Sequence, residues 1–135
     1  MTLVDTNVLF DLLTADRAWA EWSQFALGQA SAFGAVFIND VVYAELSIRF
    51  PAIESVDEFV RGTGLELLPM PPQGLFLAGK AFVRYRASGG TRTGVLPDLF
   101  IGAQAAVFGI PLLTRDPRRY RTYFPTVELI TPTTA

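Results

Sequence analysis

Five short apolar runs alternate with longer stretches of helical periodicity, and no other feature of this sequence restricts its fold as strongly. Residues 3–4, 35–38, 65–68, 111–114 and 127–130 read as strands. Helical patterns fall at about 8–14, 17–30, 40–50, 56–63, 73–88 and 97–108, with a short turn of helix at 117–123. Such alternation predicts an α/β fold in which helices cover a parallel sheet. Local punctuation agrees: Ser55 and Glu58 have capping-box spacing, Pro51 stops one helix, Gly89-Gly90 ends another, and Gly109-Ile110-Pro111 closes a helix and opens a strand. The loop over 89–96 reads as the most mobile segment. A chain of 135 residues suits one domain spanning 1–135.

Within this pattern four acids stand where carboxylates are least expected. Asp5 follows the first apolar run, Asp116 follows the fourth, Glu45 lies among Val41, Val42 and Leu46, and Asp98 opens the apolar helix over 97–108. In parallel sheets, sites gather beyond the carboxyl ends of the strands, so the four have a plausible common destination. Each also has a structural explanation. Asp5 could cap the helix near Val8, Asp116 before Pro117 has the order of an N-cap, Asp98 suits a helix dipole, and Glu45 could pair with Arg49. Helical spacing nevertheless places Glu45 on a face with Val41, Val42 and Ile48, away from free solvation. Converging carboxylates repel one another, and a divalent cation relieves that repulsion.

Composition narrows the chemistry. The chain has no Cys and no His, which excludes thiolate nucleophiles, zinc knuckles, Ser-His pairs and imidazole acid–base catalysis. Oxygen-only ligands favour Mg2+ or Mn2+. A carboxylate-held ion that activates water is suited to phosphodiester hydrolysis. Net charge is −2, yet residues 1–79 carry three Arg against ten acids (−7), and residues 80–135 carry eight Lys and Arg against three acids (+5). The basic half could hold a polyanion, and ion pairing explains the asymmetry equally well. No basic segment precedes an apolar stretch at the N-terminus and no run is long enough to span a bilayer, so a cytoplasmic, non-membrane protein is expected.

Val4-Asp5-Thr6-Asn7-Val8-Leu9, Ala44-Glu45-Leu46, Pro97-Asp98-Leu99-Phe100-Ile101-Gly102-Ala103 and Leu113-Thr114-Arg115-Asp116 together resemble the four motifs of PIN-domain ribonucleases. Their order and the chain length look most like VapC toxins of toxin–antitoxin pairs. The resemblance implies a three-layer α/β/α sandwich around a central parallel five-stranded sheet. It further implies Mg2+- or Mn2+-dependent cleavage of RNA, inhibition by a cognate VapB-type antitoxin, and a homodimer. Asp5, Glu45, Asp98 and Asp116 are then the catalytic, metal-binding acids. Asn7, Thr114 and Arg115 take supporting roles, Arg115 as a candidate phosphate contact. Some family members carry a further acid beyond the last motif; here Arg118, Arg119 and Tyr120 stand there, which leaves one or two ions open. Arg118 to Arg121 read equally as solvated surface or as RNA contacts. Trp19, Trp22 and Phe25 recur at helical spacing, as core aromatics do, with a partner groove as the second reading. The alternative function is a catalytically silent PIN-like module that binds RNA or protein.

Overall fold

The computed structural model describes residues 1–132. Strands β1 (Thr2–Val4), β2 (Val36–Ile38), β3 (Leu65–Leu67), β4 (Leu112–Leu113) and β5 (Leu129–Ile130) form one sheet in the order β3-β2-β1-β4-β5. Every neighbouring pair is parallel. Successive side chains of a strand face opposite sides, yet every residue of β1, β2 and β4 is buried. Both sheet faces must therefore be covered, which is the expected α/β/α sandwich. Among the described residues seven helices connect the strands: α1 (Thr6–Thr14), α2 (Ala20–Phe33), α3 (Asp40–Ser47), α4 (Ile53–Gly62), α5 (Pro72–Ala87), α6 (Pro97–Phe108) and α7 (Arg118–Tyr123).

From β1 the chain passes through α1 and α2 to β2, which pairs on one side of β1, while β4 pairs on the other. The order reverses between β1 and β4, and their carboxyl ends flank that switch point. Asp5 and Thr114 are the residues immediately after these strands.

Helix α6 runs through the core, with Leu99, Ile101, Gly102, Ala103, Gln104 and Ala105 all buried. Gln104 is tolerated there because Nε2 donates to the carbonyl oxygens of Leu68 at 2.9 Å and Pro69 at 3.2 Å, beyond the end of β3. Gly102 is fixed by its neighbours: a Cβ there would collide with the Phe124 ring and approach Tyr120. Gly102→Ala is thus expected to cost about 1–3 kcal/mol through overpacking, read by denaturant unfolding. An unchanged midpoint would mean that α7 yields without strain.

Several local expectations shift. Helix α4 begins at Ile53 with Ala52 as its cap, so Ser55 lies inside the first turn and caps nothing. Helix α3 ends at Ser47, which leaves Ile48 80% exposed and off the face that Glu45 shares with Val42 and Leu46. Phe25 is 62% exposed and Trp19 is only half-buried, so of this trio Trp22 alone packs against the core. Helix α2 presents its small residues Ala26 and Ala30, with Leu27, to the interior instead.

Candidate active site

Asp5 sits 7% exposed at the end of β1. Its Oδ2 accepts from the Tyr120 hydroxyl at 2.7 Å, from Thr114 Oγ1 at 2.8 Å and from Asn7 Nδ2 at 3.4 Å. A threonine hydroxyl has one proton, and its short bond to Asp5 shows where that proton goes. Thr114 Oγ1 then accepts from Asn7 Nδ2 at 3.3 Å and from the Asp116 backbone N–H at 3.1 Å. Asn7 Oδ1 accepts from the Arg115 backbone N–H at 3.2 Å. The start of α1 and the loop after β4 are laced together around one carboxylate.

Burial raises the Asp5 pKa above the ordinary carboxylate value, and outweighs the hydrogen bonds from Tyr120, Thr114 and Thr6; the negative charge of Glu45 pushes the same way. Tyr120, 2% exposed, is pushed well above the usual tyrosine value by burial and then by the Asp5 charge. It remains a hydrogen-bond donor at any physiological pH. The segment Tyr120 to Pro125 resembles the family's closing stretch, but no local signal shows that the Tyr120 hydroxyl reaches Asp5.

Glu45 lies in the second turn of α3, whose start is fixed by Asn39 Oδ1 accepting from the Val42 N–H at 2.9 Å. Its Oε1 accepts from Thr6 Oγ1 at 2.7 Å. Arg49 is not its partner: that guanidinium lies 5.0 Å from the centre of the Phe10 ring. Asp98, in the first turn of α6, offers Oδ2 to Arg119 Nη1 at 2.8 Å, while Oδ1 is buried without any hydrogen-bond partner. Asp116 accepts from Arg118 Nε at 3.0 Å and Nη2 at 3.1 Å, and Arg118 accordingly holds its pKa below the ordinary value. Pro117 occupies the N-cap of α7, so Asp116 caps no helix.

All four acids line one cavity of about 740 Å³, with Asn7, Arg92, Arg118, Arg119 and Tyr120 also in its wall. They do not form a preassembled cage: among the described residues no three acidic side chains stand close enough to hold one ion. Two of them are tied to arginines instead. The donor set nonetheless fits a hard divalent cation. Its available ligand atoms are carboxylate oxygens, the buried Asp98 Oδ1 has no hydrogen-bond partner among the described residues, and a cation would relieve the penalty carried by Asp5 beside Glu45.

Arg115 has a different place from the one expected. It does not line the cavity but grips Asp11 of α1 with Nε and Nη2, both at 2.8 Å, while Ser23 Oγ of α2 donates to the same carboxylate at 2.8 Å. Asp11 is 2% exposed. No local signal marks this pairing, because the partners lie 104 residues apart.

The family profile of the PIN domain matches residues 2–125. The chain belongs to the PIN domain family. A search of curated proteins returns no match. Among solved structures, this PIN domain is similar to VapBC2 from Rickettsia felis bound to a promoter DNA fragment, at 16% identity and TM-score 0.72, over 96% of this chain and 97% of that one. It is similar to VapBC-1 from nontypeable Haemophilus influenzae, at 16% identity and TM-score 0.72 over 96% of both chains. A toxin–antitoxin complex from Klebsiella pneumoniae matches at 19% identity and TM-score 0.66 over the whole of both chains. At these identities the likeness is one of fold. Among the described residues no helix is long and apolar enough to cross a membrane.

Proposed function

We propose that this PIN domain is a Mg2+- or Mn2+-dependent endoribonuclease and the toxin of a toxin–antitoxin pair. The carrying observation is the convergence of Asp5, Glu45, Asp98 and Asp116, four acids far apart in sequence, on one cavity beside the sheet's switch point. Asp5, Glu45 and Asp98 would supply the ion's ligands by rotating on to it from the cavity wall, since they are not preassembled, with Asp116 at the rim. When bound, the ion supplies polarisation of the phosphoryl oxygens and activation of water as nucleophile. The protein's own part is orientation. Tyr120 and Thr114 fix the rotation of the Asp5 carboxylate, Thr6 fixes Glu45, and Asn7 ties Thr114 to the loop that carries Asp116. With no His in the chain, proton transfer falls to carboxylates and water. A VapB-type antitoxin is the natural regulator, by analogy with the VapBC and toxin–antitoxin assemblies that share the fold. A homodimer in the cytoplasm completes this reading.

One observation favours a silent binding module instead: Asp98 and Asp116 already have arginine partners. Calorimetric titration with Mn2+, paired with cleavage of RNA in Mg2+, Mn2+ or chelator, separates the two readings. Heat of binding and cleavage that chelator abolishes are expected. Absence of both would overturn the nuclease reading.

A further inference from the structure

Arg119 is held in a way that its role as a counter-charge to Asp98 does not require. Its guanidinium carbon stands 5.7 Å from the centre of the Tyr85 ring, and both residues line the cavity. Among the described residues only one of its donors is used, on Asp98 Oδ2, although a guanidinium has five N–H groups in a fixed fork. Arg118 by contrast is bidentate on Asp116.

Tyr85 is itself braced. A Cβ at Gly90 would collide with its ring, its hydroxyl accepts from the Arg92 N–H at 3.3 Å, and Tyr123 packs edge-on at 6.4 Å between centroids. Arg86 Nη1 donates to the Arg92 carbonyl at 2.9 Å. The loop expected to be mobile is thus fastened to α5 and carries Arg92 to the cavity wall.

We propose that Arg119 and Arg92 form a phosphate-binding subsite for a single RNA strand, with Arg119 aimed by Asp98 and backed by Tyr85. The inference rests on the nuclease reading only in taking RNA as the ligand. Asp98 divides its labour: Oδ1 stays free for the site, and Oδ2 orients the arginine. A strand whose cleaved phosphate lies at the acids needs its neighbouring phosphate neutralised, and of the three arginines in the cavity wall these two are not engaged bidentately by an acid as Arg118 is. A single strand fits because the acids lie inside a cavity, with Asp5 only 7% exposed, where unstacked nucleotides reach and a regular duplex does not.

The test measures binding of a labelled single-stranded RNA of about eight nucleotides to the full chain in chelator, across a salt series. Each phosphate contact on a single strand contributes about 0.7 to the slope of log K against log salt. Arg119→Ala and Arg92→Ala should each lower the slope by about that amount and weaken binding roughly tenfold, while Arg119→Lys keeps the slope. Arg61→Ala, on exposed α4, should leave it unchanged. An unaltered slope in Arg119→Ala overturns the subsite, as does an equal drop in Arg61→Ala. Stronger displacement of the RNA by a glutamate-rich peptide than by unlabelled RNA would reassign the arginines to an acidic protein. Cleavage is scored separately, so loss of nuclease activity in the parent chain tests the other reading alone.

Discussion

Asp5→Asn is expected to abolish cleavage and at the same time to stabilise the metal-free protein. The substitution keeps one acceptor oxygen for Tyr120 and Thr114, removes the charge, and turns the second oxygen into an NH2 donor. An ion at such a site contributes several kcal/mol to the transition state, so loss of a principal ligand should lower cleavage on the order of 10³-fold. The stability gain follows from the sign of the Asp5 shift. Its folded pKa lies above the ordinary 3.8 because of burial, so the folded state binds that proton more tightly than the unfolded chain does. The favourable contribution is complete below pH 3.8 and is lost as pH rises through the folded value, where a desolvated carboxylate must ionise. The variant escapes that loss. In chelator at pH 7 it should be the more stable of the two, read as a higher Tm, and the difference should close on acidification. Added Mn2+ should narrow or reverse the gap, since the parent chain gains more from binding. A variant that melts below the parent at neutral pH would show that the carboxylate is net stabilising and that no cation is needed there.

The sheet and the common destination of the acids were legible because both depend on signals local in sequence. Short apolar runs between helical patterns specify parallel strands, and an acid placed just after such a run falls at the strand's carboxyl end, as Asp5 does. What escaped was pairwise and distant. Tyr120 looks like any core aromatic until its hydroxyl is seen on Asp5. Arg115 beside two motif residues invites a ligand role, yet its partner Asp11 lies on an ordinary amphipathic helix and gives no sign of being buried. Arg118 and Arg119 are adjacent, but helical geometry sends one to Asp116 and the other to Asp98. Ser55 had the right spacing for a cap, and lost to Ala52 because Ile53 already starts the turn. Phe25 had helical periodicity without burial, since a period identifies a stripe and not which stripe faces inwards.

Arg115→Ala should be the most destabilising of the arginine substitutions, and should act through the fold before it acts on RNA. Asp11 is buried at the α1–α2 contact, and its three short hydrogen bonds come from Arg115 twice and Ser23 once. Truncating Arg115 leaves that carboxylate with a single hydroxyl. An uncompensated buried charge of this kind costs about 3 kcal/mol, or roughly 10 °C in Tm for a chain of this size. Arg115→Lys should lose less, because an ammonium reaches the carboxylate but cannot match its two oxygens as a planar fork does. The double variant Asp11→Leu with Arg115→Leu should be more stable than Arg115→Ala alone, since no charge is stranded. The consequence for activity runs through the backbone: Arg115 N–H holds Asn7, Asn7 holds Thr114, and Thr114 holds Asp5. Loosening that loop should reduce kcat while KM for RNA changes little. A guanidinium that bound phosphate would behave in the opposite way, with Tm near the parent value, KM raised and the salt dependence of binding reduced. Unfolding and steady-state kinetics on the same variant therefore distinguish a brace from a substrate contact, and the 2% exposure of Asp11 favours the brace.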